Sequence, residues 1–111
     1  MKFFYLTFLF ALLSLYCNSQ QLIKPVEVWT DTEGNHIYAH GGGIILSNNM
    51  YYWFGESRLP RGAADRTMYG VGCYSSKDLL TWKNEGLALR VINDTANQLQ
   101  PGCVIERPKV I

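Results

Sequence analysis

The sequence has no excess of either charge: ten basic residues stand against nine acidic ones, for a net charge of +1. That balance excludes the basic surface of a nucleic-acid-binding protein and the acidic composition of a disordered tail. Cysteine is scarce, with three in 111 residues. Three cannot build the disulfide framework of a small secreted domain, and they match no zinc-ligand spacing. The glycine run at Gly41-Gly42-Gly43 is not a phosphate loop, because no helix follows it and the Walker lysine is missing. No metal and no cofactor is therefore expected. No stretch joins helical periodicity to caps, which removes the helical classes. A stable membrane span is not expected either. The apolar run from Phe3 to Tyr16 is 14 residues long, broken only by Thr7 and Ser14, and a span needs about 20.

That short run predicts export instead. Lys2 precedes it, and Cys17-Asn18-Ser19 follows with small residues at the −3 and −1 positions. Residues 1–19 read as a secretory signal peptide cut after Ser19, which places the protein outside the cell or in a periplasm. A buried N-terminal helix is the bland alternative. A lipoprotein signal acylated at Cys17 is another, disfavoured by the bulky Tyr16 before it. Export permits a disulfide between Cys73 and Cys103. Both lie in apolar contexts, so buried free thiols are the preferred reading.

Beyond the signal, the pattern is that of strands. Residues 20–36 form a polar, irregular lead-in with a turn at Asp31-Thr32-Glu33-Gly34-Asn35. His36–Leu46 and Met50–Glu56, joined by Ser47-Asn48-Asn49, predict a β-hairpin. A polar loop at Ser57–Thr67 leads to a third strand, Met68–Ser76. Lys77–Leu80 turns into a fourth, Thr81–Leu89. A loop over residues 90–102 precedes the start of a fifth, Cys103–Ile111. The class is all-β. Four strands in succession make one antiparallel sheet, which is also one blade of a propeller. A lone blade leaves both faces uncovered. The chain also stops inside an apolar strand, so residues 37–111 are expected to be an incomplete propeller domain.

Three segments stand out chemically. In Ala39-His40-Gly41-Gly42-Gly43 the glycines weaken a strand, and they make sense where a ligand or another backbone comes close. His40 beside them either faces a central cavity or is a hydrogen-bonded structural histidine. In Tyr51-Tyr52-Trp53-Phe54-Gly55-Glu56 the aromatics suit a core. Aromatic faces beside a carboxylate such as Glu56 also suit a sugar, whose C–H faces stack while its hydroxyls need fixed acceptors. A solvent-exposed glutamate is the plainer alternative. In Glu106-Arg107-Pro108-Lys109, charge interrupts an apolar strand, which is costly unless paired or functional. Glu106 is either a paired carboxylate in a cleft or half of a surface ion pair with Arg107 or Lys109. The stretch Ser75–Trp82 reads as structural, with Asp78 bonding turn amides and Leu79 and Trp82 packing on a neighbouring blade.

Taken together, "AHGGGIIL…YYWFGES…GVGCYSSKDLLTWKNEGLAL…VIERPKVI" resembles the start of glycoside hydrolase family 43 enzymes, nearest the exo-β-1,3-galactanase-like branch. The match runs over about residues 29–111. AHGGGI, YYW-x-GE and ERPKV in this order carry its specificity. The resemblance implies a five-bladed β-propeller, of which this chain would hold blade one and the start of blade two. It implies a polysaccharide or oligosaccharide substrate and release of terminal β-galactosyl units with inversion. Most of the wider family has an aspartate base early in the first inner strand. Here that region reads Ala39-His40-Gly41-Gly42, a departure shared by the galactanase-like branch, where a glutamine from a later blade has been proposed to act. By motif match, Glu106 is a catalytic-site carboxylate that holds and orients the sugar. Glu56 is a sugar-hydroxyl acceptor, and His40 lines the same cavity. The proton donor would lie beyond Ile111. A noncatalytic carbohydrate-binding propeller is the alternative, separated from the enzyme by whether that donor exists.

Overall fold

A computed structural model describes residues 22–58 and 68–111. The predicted signal peptide, Cys17 within it, and most of the predicted 57–67 loop lie outside the described residues. No helix occurs among those described. They form one antiparallel sheet of four strands: β1 (His40–Ser47), β2 (Met50–Arg58), β3 (Met68–Ser76) and β4 (Lys83–Arg90). Spatial order equals chain order, so each strand pairs with its sequence neighbours.

The β1–β2 hairpin closes at Asn48 and Asn49, with φ of 49° and 59°. Left-handed φ at both central residues twists a two-residue turn to match its strands, and asparagine tolerates that φ better than most residues. Ser47 thus pairs with Met50 and Ile44 with Trp53. Side chains alternate along the strands. Tyr51 and Trp53 therefore share one face of β2, and Tyr52 and Phe54 the other.

The first of these faces carries the core. Ile37, Ala39, Tyr74 and Trp82 are buried, with Trp29, Tyr51, Trp53 and Leu79 packed against them. Trp53 meets Trp29 and Trp82 edge-on, at centroid distances of 5.8 and 5.3 Å. Edge-on geometry sets the positive rim of one ring against the negative face of another. The Thr32 N–H to the Trp82 carbonyl at 2.9 Å ties the lead-in to the segment before β4, and Ile37 N–H to the Trp29 carbonyl at 3.0 Å closes the lead-in on itself. The lead-in is therefore part of the core rather than a loose entry. Trp82, expected to pack on a neighbouring blade, is 1% exposed within this unit.

Several strand limits differ from expectation, and the second strand runs on to Arg58 rather than ending at Glu56. The first strand begins at His40, not His36, because His36 bridges to Thr30 in the lead-in. The fourth begins at Lys83, after the buried Trp82. Among the described residues Cys103–Ile111 is irregular rather than the start of a fifth strand. Arg107 has φ of 48°, which breaks an extended path, and Pro108 has no N–H to give a ladder.

The glycine run is explained by backbone proximity. A Cβ on Gly42 would fall on the Phe54 carbonyl, and one on Gly55 would strike the Ala39 backbone. The two strands cross here at closer range than side chains permit, at a register shift between His40 and Gly43. Gly43 itself has open space around it.

The Ser76–Trp82 turn is structural, as its sequence suggests. Asp78 Oδ1 accepts from the Leu80 and Thr81 amides at 2.8 and 2.7 Å. Ser76 Oγ accepts from the Leu79 amide at 2.9 Å. The Thr81 and Leu80 amides and the Ser76 hydroxyl hold the Asp78 carboxyl down at about 2. A depressed carboxyl stabilises the fold above its unfolded value near 3.8 and loses that contribution as pH falls through about 2. Asp78→Asn keeps an acceptor oxygen and removes the charge. Its Tm should lie below that of the parent at neutral pH, and the gap should narrow between pH 3.8 and 2. A gap constant over that range would contradict the assignment.

Candidate functional site

The chemically distinctive residues meet at one end of the sheet, where β1 begins and β2 ends. His40 and Glu56 are register partners across the two strands. Glu56 is 8% exposed, which for a carboxylate demands partners. It has two. Oε2 accepts from Arg58 Nη2 at 2.8 Å. Oε1 accepts from the backbone N–H of Arg107 at 3.2 Å, across 51 residues of chain. Glu56 and Arg58 are two apart on one strand, so pleating puts both on the same face. This short pair between a charged donor and a charged acceptor is of the stronger kind of hydrogen bond.

Glu106 reaches this cluster through its backbone neighbour Arg107, and its own side chain is exposed. Among the described residues it makes no ion pair with Arg107 or Lys109. The surface ion pair weighed from sequence is therefore not formed. His40 is exposed as well. Its ring stands 6.4 Å from that of Tyr38, which in turn lies 4.5 Å from that of His36. The period-two spacing of His36, Tyr38 and His40 aligns these rings along one side of the chain. The Tyr38 amide donates to the Tyr74 hydroxyl at 3.0 Å, fixing the row to the core.

The structure thus brings His40, Glu56 and the Glu106–Arg107 backbone together. Sequence reading overlooked Arg58, which it assigned to a loop. Carrying the strand alternation two residues past Glu56 would have exposed the pairing. It also treated Arg107 as a charge, whereas the group engaged with Glu56 is its amide.

Other features lie apart from this cluster. A groove of about 570 Å³ separates the lead-in from the turn at Leu79–Trp82, lined by Val28, Trp29 and Leu80 among others. It includes none of His40, Glu56 and Glu106. Cys73 and Cys103 are free thiols. Burial, with Glu85 nearby, pushes the Cys73 thiol up from its ordinary value. Among the described residues no three His, Cys, Asp or Glu side chains gather as metal ligands would.

Chemically, the sheet end presents an exposed carboxylate at Glu106 and an exposed imidazole at His40. Behind them stands the buried Glu56 carboxylate, each of whose oxygens already accepts a protein hydrogen bond. Such a set can accept and donate hydrogen bonds to a polyhydroxylated ligand.

No protein-family model matches the sequence. No curated protein matches it either. Solved structures do. A family 43 β-1,3-galactosidase solved with galactodeoxynojirimycin is 49% identical, with a TM-score of 0.73, over 80% of this chain and 25% of its own. An exo-β-1,3-galactanase from Clostridium thermocellum is 40% identical, with a TM-score of 0.66, over 80% of this chain and 18% of its own. An exo-β-1,3-galactanase from Phanerochaete chrysosporium, solved with galactose, is 40% identical, with a TM-score of 0.66, over 78% of this chain and 19% of its own. The chain spans a quarter or less of the length of these relatives.

Proposed function

Because this chain belongs to glycoside hydrolase family 43, we propose that the intact protein is an exported exo-acting galactanase. Its substrate is a β-1,3-linked galactan or oligosaccharide, from which it releases terminal galactose with inversion. The observation that carries this reading is the 49% identity to a β-1,3-galactosidase. The cluster at the His40 end of the sheet supports it, because the exposed Glu106 carboxylate there has no ion-pair partner among the described residues and is available to a sugar. The fold proposed for the intact protein is a five-bladed propeller in which the described sheet is blade one.

Inversion requires two groups on opposite faces of the sugar, an acid for the leaving oxygen and an activator for water. In this reading neither is among residues 1–111. Glu106 instead holds and orients the terminal galactosyl unit, accepting hydrogen bonds from its hydroxyls. A fixed sugar is half of the chemistry. Orientation turns the attack of water into a near-unimolecular step and removes part of its entropic barrier. His40, exposed at the same end of the sheet, lies beside the sugar in this reading.

The product anomer tests the proposal. Incubated with β-1,3-galactotriose and followed by proton NMR, the intact protein should first release α-galactose. Initial β-galactose would overturn inversion. Binding without any release would favour the noncatalytic sugar-binding propeller.

A further inference from the structure

We infer that Glu56 is a positioning residue for Glu106: its carboxylate holds a left-handed turn at Arg107 and so sets where the adjoining Glu106 is presented. This deepens the proposed function and rests on its assignment of Glu106.

The conformation of Arg107 is the first ground. Its φ is 48°. A non-glycine residue in the left-handed region gives up about 1–2 kcal/mol relative to the right-handed one. The residue before a proline is further driven toward extended conformations by the proline ring, and Pro108 follows directly. Left alone, Arg107 would straighten. Such an outlier persists only where its surroundings over-determine it.

Glu56 provides that determination. Its Oε1 takes the Arg107 N–H at 3.2 Å. Its Oε2 is anchored by Arg58 at 2.8 Å, so the carboxylate cannot swing to follow a moving amide. The opposite wall is Gly41. A Cβ there would come 3.3 Å from Glu56 Oε1 and 3.6 Å from Arg107 Cγ. The missing side chain makes room for the turn to settle on the start of β1. Gly41, Glu56, Arg58 and Arg107 thus form one clamp with Glu106 at its edge.

The burial of Glu56 fits this role better than that of a hydroxyl acceptor. Its side chain is 10% exposed, and both oxygens are already engaged by protein donors. Glu106 is exposed and free of ion pairs among the described residues. One carboxylate is built into the frame and the other is offered to a ligand. Straightening at Arg107 would change the direction of the chain on either side of it and so redirect Glu106.

Two readouts on the intact protein test the clamp. The first needs no substrate. Hydrogen exchange at the Arg107 amide should quicken about tenfold in Glu56→Ala, as expected for loss of a hydrogen bond to a charged acceptor. Glu56→Gln keeps an acceptor oxygen without the charge and should fall between the two. It carries the same comparison if Glu56→Ala does not fold. The second is a double-mutant cycle on the Kd for β-1,3-galactotriose, using Glu56→Gln, Glu106→Gln and both together. If Glu56 acts through Glu106, the second substitution adds little to the first. If Glu56 holds the sugar itself, the losses add. Unchanged Arg107 exchange, or additive losses, would overturn the inference. Should Glu106→Gln alone bind and turn over normally, the assignment of Glu106 fails, while the exchange measurement still decides whether Glu56 holds the turn.

Discussion

Glu106→Gln in the intact protein is expected to lower kcat/KM for β-1,3-galactooligosaccharides by at least about a hundredfold. A hydrogen bond to a charged group contributes about 1.5–3 kcal/mol, and each 1.36 kcal/mol is a tenfold change in rate. An orienting carboxylate that accepts from two hydroxyls therefore accounts for two or more powers of ten. The amide of glutamine keeps the shape of the side chain and one acceptor oxygen, so the loss reads charge and acceptor strength rather than bulk. The fold should not suffer. Glu106 is exposed and makes no ion pair among the described residues, so nothing buried is left without a partner. Tm should stay within a degree or so of the parent, as for a surface change outside any packed or bonded feature. Near-normal turnover by the folded variant would refute the role. A large fall in both Tm and activity would point to a structural one.

The second large effect belongs to the glycines. Gly42→Ala or Gly55→Ala is expected to cost about 3 kcal/mol or more, enough to unfold a marginally stable domain. The new methyl would not meet a side chain able to rotate away. At Gly42 it would fall on the Phe54 carbonyl, and at Gly55 on the Ala39 backbone. Relief would require β1 and β2 to separate where His40 faces Glu56, so the candidate site would open with the sheet. Gly43→Ala is the control. It has open space around it, and replacing glycine inside a strand should be neutral or slightly stabilising. Denaturant unfolding of the three variants checks the ranking. A Gly42→Ala protein as stable as Gly43→Ala would contradict the close approach of the two backbones.

Much of the strand pattern was legible because it is local. Alternation of aromatic and apolar residues marked β2, and Asn48-Asn49 marked the hairpin turn, since both depend on neighbours a few residues apart. Asp78 marked the next turn for the same reason. The 103–111 segment shows the limit. It has the composition of a strand, yet its course turns at Arg107 and docks on Glu56, a relation between parts of the chain far apart in sequence. Trp82 is a similar case. Its burial was foreseeable, but its ring partner Trp53 lies 29 residues away in sequence.

The site divides along the same line. His40, Glu56 and Glu106 could be named from the sequence, because a charge or an imidazole amid strand residues is conspicuous when desolvation opposes it. Their relations could not. That Glu56 is buried, held by Arg58 and bonded to an amide 51 residues distant follows from the docking of the 103–111 segment on the start of β1.

Strand alternation and the lack of capped helical periodicity by themselves determined the all-strand character seen among the described residues. Local propensity and solvation suffice for that much. Only the tertiary structure decided which carboxylate is framework and which is presented to solvent. That distinction depends on what each oxygen touches, and those contacts are made between segments that the chain keeps far apart.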